Sequence, residues 1–437
     1  MPPKIDKDMK QIVLLIMSFF LFNVAFAQEP EEKKTEQKED RTFFSRLTIG
    51  GYGEATYSRN FYSDSPFRYK SPASHADDPV HGRFDIPHAV INIGYDFGKG
   101  WTFGTEIEFE HGGSGGAIEK EDEEGGEWEA ETEKGGEVEL EQFWIQKSFA
   151  NGAFNIRAGH IIVPVGLNNA HHEPLNYFTV HRSEGENTLL PSTWHQTGIS
   201  LWGRVKDWRY EAQLTSGLDA FMFDRTNWIG KGNLSPYEFE VANKYGITAR
   251  IDNYSVKGLR LGLSGYYGQT MGNTFPNDTK KYEDISGNLF FGALDFTYKG
   301  YNIIARGNID YGYISDAETI SSIKKNQTAG SSPYRKSAFG SHAIITNIEV
   351  GYDVFAHSAK MRKDNQKLYI FGHYEYFDSY INGLNGYTKK KILAFGLNYY
   401  PIPQIAVKAE YKNRIFDSPY NNEPAINLAI VYQGFFK

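Results

Sequence analysis

A rhythm of links constrains this chain more than any other feature. From Leu47 to Phe436, strand-like segments alternate short connections with long ones. Each segment runs roughly 8 to 13 residues with side chains alternating in character, the period-two mark of a strand with two different faces. Links after the even-numbered segments are mostly tight: Phe97-Gly98-Lys99-Gly100, Asn151-Gly152, Val205-Lys206-Asp207, Asn253-Tyr254-Ser255, Lys299-Gly300 and Pro401-Ile402-Pro403. Links after the odd-numbered segments are mostly long and polar: 60–83, 111–137, 165–194, 216–243, 270–285 and 314–340. A soluble sandwich has no reason to sort its loops in this way. A transmembrane antiparallel β-barrel of the outer membrane does, with short periplasmic turns and long extracellular loops.

The N-terminus reads as an export signal. Lys7 and Lys10 precede the start of an apolar run from Ile12 to Phe22, and Ala25-Phe26-Ala27 supplies a small-residue cleavage site. Met9 directly precedes that run and is a second candidate start. The expected division is a signal peptide over 1–27, a charged periplasmic linker over 28–45 and the barrel over 46–437. Beyond Gln28 no apolar run approaches the ~20 residues of a membrane helix, so a membrane fate requires a closed barrel.

Composition agrees with that reading. The 437 residues include 44 Gly, 29 Tyr and 31 Phe, yet mean hydropathy is −0.51. Strands with one lipid-facing and one watery face produce this mixture, although a large secreted β protein shares it. The absence of Cys removes disulfides, thiolate catalysis and Cys-zinc sites together. Net charge is −8, and removing residues 1–27 (three Lys, two Asp) leaves −9, which argues against a nucleic-acid partner.

Sixteen strands are expected, near 46–59, 84–97, 101–110, 138–149, 153–163, 195–203, 207–215, 244–252, 258–269, 287–298, 301–313, 341–352, 367–378, 390–400, 404–416 and 425–436. Fourteen and eighteen also fit the pattern. Several segments divide cleanly into faces: Trp101, Phe103, Ile107 and Phe109 alternate with Thr102, Gly104, Glu106 and Glu108. Ile405, Val407, Ala409 and Tyr411 alternate with Lys408, Glu410, Lys412 and Arg414. A cation at the bilayer midplane costs about 2–4 kcal/mol, so the charged series must line the interior. Such an interior is expected to be wet rather than filled by apolar packing. Tyr57, Trp101, Trp208, Tyr298, Tyr301, Tyr399 and Tyr400 fall near strand ends, where an aromatic girdle would sit.

The stretch Phe154-Asn155-Ile156-Arg157-Ala158-Gly159-His160-Ile161-Ile162-Val163-Pro164-Val165-Gly166 resembles the phosphate-selective porin O/P family. So does His171-His172-Glu173-Pro174 through Pro191-Ser192-Thr193-Trp194, and the opening Gly50-Gly51-Tyr52-Gly53-Glu54-Ala55 is similar to related porins of Bacteroidota. The specific motifs cover about forty residues, the layout most of the chain. The resemblance implies a sixteen-stranded, commonly homotrimeric diffusion channel in the outer membrane; no cofactor and no bound metal are expected of the chain. It does not by itself imply phosphate, because no basic ladder maps onto single positions.

The long segment 165–194 carries the best functional case. His171, His172, Glu173, His181, Arg182 and Glu184 stand among apolar Leu175, Tyr177, Phe178 and Val180, so the loop could fold inward and set ion preference at a constriction. Arg157 belongs with that set. Glu106, Glu108, Lys147, Arg209, Arg250, Arg306, Asp310, Glu375, Lys408, Glu410, Lys412 and Arg414 are the pore-lining candidates, and their mixed signs suit modest selectivity or mutual neutralisation. An outward, solvated loop is the plainer alternative. Zinc held by His171, His172, Glu173 and His181 is a weak one, since the spacing is irregular.

Between Glu119 and Glu139 eleven Asp/Glu face two Lys. A like-charge block of this kind usually stays solvated, though hard oxygen ligands would also suit calcium. No G-x-S-x-G, H-E-x-x-H or phosphate-cradling loop is present, so the chain is not expected to be an enzyme. The expected function is passive passage of small hydrophilic solutes or ions, including anions such as phosphate, through a barrel embedded in outer-membrane lipid. The alternatives are an adhesin or binding platform built on the long loops, and a Ser–His hydrolase on the barrel wall.

Overall fold

A computed structural model of the protein describes residues 43–436 except 66, 112–115, 123–127, 135–136, 236–238, 274–281, 283, 327–337, 382 and 384–385. The signal peptide and most of the linker lie outside the described residues; Phe43–Arg46 forms one helical turn.

Period-two patterning becomes sixteen long strands: β1 (Leu47–Asn60), β2 (His88–Gly98), β3 (Trp101–Glu110), β4 (Glu137–Phe149), β5 (Phe154–Ile162), β6 (His195–Val205), β7 (Trp208–Ser216), β8 (Tyr245–Asn253), β9 (Leu259–Gln269), β10 (Asn288–Gly300), β11 (Ile303–Ile314), β12 (His342–Asp353), β13 (Lys367–Asp378), β14 (Lys389–Ile402), β15 (Ile405–Ile415) and β16 (Glu423–Phe435). Each pairs antiparallel with its sequence neighbour. The last returns to the first, from Gly50↔Phe435 to Asn60↔Ala425, and closes the barrel. Closure leaves no open edge, which is what hydrocarbon demands of a sheet. A short strand, Gly82–Asp85, also pairs with β1. Within the acidic tract, Gly116–Asp122 and Trp128–Lys134 form a separate hairpin.

The turns at one end are tight because a few residues accept left-handed backbone. Gly98, Lys99 and Gly100 do so between β2 and β3, and Lys206 between β6 and β7. The turn expected at Lys299-Gly300 lies two residues later. Gly300 pairs with Ile303, and Tyr301 and Asn302 take φ of 51° and 64°. Two consecutive positive φ values make the hairpin turn whose twist matches its strands. One link at this end is longer: residues 354–366 carry a 3-10 turn, Val354–His357, and a short helix, Ala359–Lys363.

The two faces separate as lipid requires. Phe143, Ile145, Leu263, Leu294, Ile309, Phe395 and Leu428 are exposed on the outer wall, while Glu106, Arg306, Asn308, Glu375, Lys408 and Glu410 are buried inside. Trp101, Trp208 and Tyr301 stand exposed beside the tight turns. Tyr400 departs from the expected girdle and packs inward on Tyr369, with ring centroids 5.8 Å apart.

Lys147 corrects the expected pore lining. Its ammonium lies over the Trp101 and Phe149 rings at 5.4 and 5.6 Å and donates to the Lys99 carbonyl, on the outer wall at the tight-turn rim. The reason is a β-bulge: Glu106 pairs with Gln142 and Ile107 with Leu140, leaving Glu141 unpaired between them. One extra residue inverts the alternation. Counting inward from Glu141 therefore assigns Phe143, Ile145 and Lys147 to the wrong face.

The interior also differs from the wet lumen expected. Val163, Val165, Leu189, Leu190 and Trp194 join Leu218, Phe221, Phe223, Trp228 and Ile229 in one buried apolar cluster. Tyr266, Phe291, Ile345, Phe377 and Ile392 on the wall complete it. Long loops have folded into the barrel and brought their own core with them.

Candidate functional site

Residues 163–194 enter the barrel between β5 and β6 and are tied at their base. The Val163 N–H donates to the Trp194 carbonyl at 2.8 Å. Asn169 Nδ2 donates to the carbonyls of Val163 and Trp194, while its Oδ1 accepts the Trp194 N–H at 2.6 Å. Gly166 turns the chain with φ of 79°, and a Cβ there would sit 2.3 Å from the Glu186 carboxylate. That carboxylate accepts the N–H groups of Leu167 and Asn168 at 2.7 and 2.5 Å. The helix Glu184–Leu189 supplies it.

Buried backbone must find hydrogen-bond partners, and here the barrel wall provides them. Lys408 donates to the carbonyls of Pro174, Tyr177 and Thr179 at 2.6, 2.8 and 2.9 Å. Glu349 accepts from Phe178 and Thr179, Glu410 from Val180, and Glu375 from Glu184 and Gly185. Arg306 donates to the Asn176 carbonyl at 2.6 Å. Glu184 is held by Lys412 at 2.7 Å and Arg414 at 2.6 Å. Phe178 stacks on Phe371 at 5.6 Å. Most wall charges that face inward from β11 to β15 thus hold the loop.

Three cavities border this loop. On its tight-turn side a cavity of about 560 Å³ is lined by Trp144, Arg157, His171, Glu173, Arg204, Arg209, Glu211, Arg250 and Asp252, among others. On its long-loop side one of about 430 Å³ is lined by Glu139, His160, Asn187, Ser192, His195 and Glu240, among others. Between them lies a space of about 20 Å³ bounded by Asn169, His172, Arg182, Glu186, Asn187 and Ser192. It shares Asn169 and His172 with the first cavity and Asn187 and Ser192 with the second.

The candidates from the sequence fall into groups. Arg157, His171, Glu173, Glu106, Arg209 and Arg250 line the larger cavity, and His172 stands at its junction with the narrow space. The Arg157 guanidinium rests on Trp144 at 4.4 Å and Trp202 at 5.3 Å and donates to Gln146. Arg209 pairs with Glu211 and Asp252, and Arg250 with Asp252 and Asp295. Arg182 is turned into the loop itself and donates to the His172 carbonyl and Thr193 Oγ1. His181 lies against Ser58 at 3.4 Å. Glu108 faces His88 at 2.5 Å. Arg306, Glu375, Lys408, Glu410, Lys412, Arg414 and Glu184 lie where the loop meets the wall, and Asp310 is buried beside Asn308 at 2.8 Å. Asn169, Glu186 and Glu349 carry no signal in the sequence, because nothing local distinguishes a loop staple from an ordinary polar residue.

No family model matches the chain. An uncharacterized protein of Aquifex aeolicus (strain VF5) is 27% identical over 396 residues, covering 86% of this chain and 78% of that protein. Among solved structures, an anion-selective porin from Comamonas acidovorans aligns over 89% of this chain and 99% of its own, at 9% identity and a TM-score of 0.51. Salmonella typhi OmpF, in complex with daunomycin, aligns over 89% and 97%, at 12% identity and a TM-score of 0.51. Identities this low speak to fold alone. With its apolar outer wall, closed sheet and sixteen strands, the chain has the fold of the outer-membrane porins.

Proposed function

We propose that this protein is an outer-membrane porin through which small hydrophilic solutes or ions diffuse passively, with the inward loop as its constriction. The observation that carries this reading is the succession of three cavities sharing lining residues across the loop. The middle space of about 20 Å³ is close to the least volume, about 10–15 Å³, that holds one water. Passage is therefore restricted to small species or follows a shift of the loop. The signal peptide over 1–27 and the linker over 28–45 belong to this reading as the means of export, with a mature start near Gln28. The resemblance to the phosphate-selective O/P porins extends it to a homotrimer.

Anions are the favoured cargo. In the larger cavity four carboxylates face four guanidinium groups. Glu211 and Asp252 are matched by Arg209 and Arg250, Glu106 and Glu173 accept from Gln142 and Asn176, and Arg157 and Arg204 have no carboxylate ion pair among the described residues. Arg157 lies instead over two indoles and Arg204 over Tyr254. Guanidinium groups left in this state favour a phosphate-like or other small anion.

Purified, refolded protein in a planar bilayer under a salt gradient tests the reading. Stepwise conductance with an anion-preferring reversal potential is expected, and Arg157→Glu should move that potential toward cations. A folded, inserted barrel without conductance would defeat the channel and favour a binding platform. An unchanged potential in the variant would remove Arg157 from selectivity.

A further inference from the structure

We propose a divalent transition-metal site, of the kind zinc occupies, formed by Glu106, Glu141 and His172 where the inward loop meets strands β3 and β4. One donor atom from each of the three lies within 4.8 Å of the others. His172 Nε2 stands 3.9 Å from Glu106 Oε1. Tetrahedral zinc with ligand distances near 2.0–2.2 Å spaces its donors about 3.3 Å apart, so small side-chain rotations close the site.

Four independent observations favour an ion here. First, both Glu141 carboxylate oxygens and His172 Nε2 are buried with no hydrogen-bond partner among the described residues; Glu141 is 0% exposed and His172 6%. A carboxylate taken out of water without a partner is costly, and a dication answers that cost directly. Second, Glu141 is the unpaired residue of the β3–β4 bulge, and bulges commonly re-aim a side chain toward a site. Third, the outer sphere suits a metal. His172 Nδ1 faces the Asn169 carbonyl at 3.2 Å, so a proton belongs on Nδ1. Nε2, which faces Glu106, is the atom placed to coordinate an ion that displaces any proton there. Glu106 accepts from Gln142 through its other oxygen, which orients it. Fourth, Glu106 and His172 both border the cavity of about 560 Å³, which gives an ion a route in and a water a fourth position.

One imidazole with two carboxylates suits zinc or manganese better than calcium, whose ligands are oxygens. The competing occupant is a proton on the Glu141 carboxyl, which would neutralise it without an ion. A bound ion would clamp the loop to β3 and β4, on the side opposite the anchors from β11 to β15.

The test uses the refolded full-length barrel in detergent, titrated with Zn2+ by calorimetry and with Co2+ by visible absorption. Heat-modifiable gel mobility checks that each variant is folded. Wild-type protein should bind one equivalent at this site, with a ligand-field spectrum of low-coordinate Co2+. Glu141→Gln, which keeps the shape, should weaken that binding at least about tenfold, as should His172→Ala. The histidines at the outer cavity, His160 and His195, approach within 2.5 Å of each other and could bind metal themselves. The double variant His160→Ala/His195→Ala should therefore retain the equivalent. Absence of binding in folded wild type overturns the proposal. So does binding that survives Glu141→Gln and disappears with the outer histidines.

Discussion

Lys408 shows what a charge inside this barrel is for. Its side chain is fully buried, and its ammonium meets three loop carbonyls and the Tyr177 ring at 4.3 Å. Lys408→Met would leave those carbonyls and the neighbouring carboxylates unanswered. A hydrogen bond to a charged group is worth about 1.5–3 kcal/mol, so a loss of roughly 3 kcal/mol or more is expected. Because the barrel ladder is untouched, the damage should fall on the loop. Faster proteolysis within 163–194 and a larger, noisier conductance would show it. Arg182, which the sequence offers as a selectivity residue, also bonds within the loop, to the His172 carbonyl and Thr193 Oγ1, while it borders the narrow middle space. The residue type was legible there, but its direction was not.

At the scale of elements, β4 shows how one residue can reset a strand. Deleting Glu141 removes the bulge and leaves Leu140 opposite Ile107 and the next residue opposite Glu106, a regular ladder. The shortened chain should refold to a heat-modifiable barrel. Deleting Ile145 instead turns the residues beyond it to the wrong face and should prevent assembly, as gel mobility would report. The loop after β7 makes a different prediction. Asp219 caps the turn Ala220–Met222 by accepting the Phe221 N–H at 2.9 Å. Burial pushes its carboxyl up to about 7, against the opposing pull of that N–H and of Lys324. The folded chain then holds this proton more tightly than the unfolded chain, whose Asp titrates near about 3.9. Stability from this group is fully present below that value and falls as pH rises to about 7. Amide exchange within 217–235, corrected for intrinsic rate, should accelerate between pH 5 and pH 8, and Asp219→Asn should flatten the change.

For the whole molecule, the balance lies between a sheet that must close and loops that occupy what it encloses. Trp228 is fully buried, donates to the Gly340 carbonyl at 2.9 Å and packs near Phe291 at 6.2 Å. Trp228→Ala should cost about 3–5 kcal/mol locally. Since wall strands hold one another independently, the barrel should remain heat-modifiable while conductance through it rises.

Closure and the lipid face followed from local pattern, because a bilayer punishes every misplaced charge and so writes its demand into each strand separately, whereas the choice of sixteen strands over fourteen or eighteen came from the pairing. The alternation at Ile405–Ile415 needed no knowledge of its neighbours. The inward face had no such rule. A wall charge could meet water, another charge or a loop backbone, and only the fold decided. Lys408 and Thr179 stand 229 residues apart along the chain, Glu349 and Phe178 171 apart. Such contacts leave no periodic trace in either segment. The same holds for Glu141, whose bulge depends on the register of its partner strand. Sequence alone determined that this chain is a barrel with a charged interior; tertiary structure decided which charges hold the loop, which line the remaining space, and which await a partner.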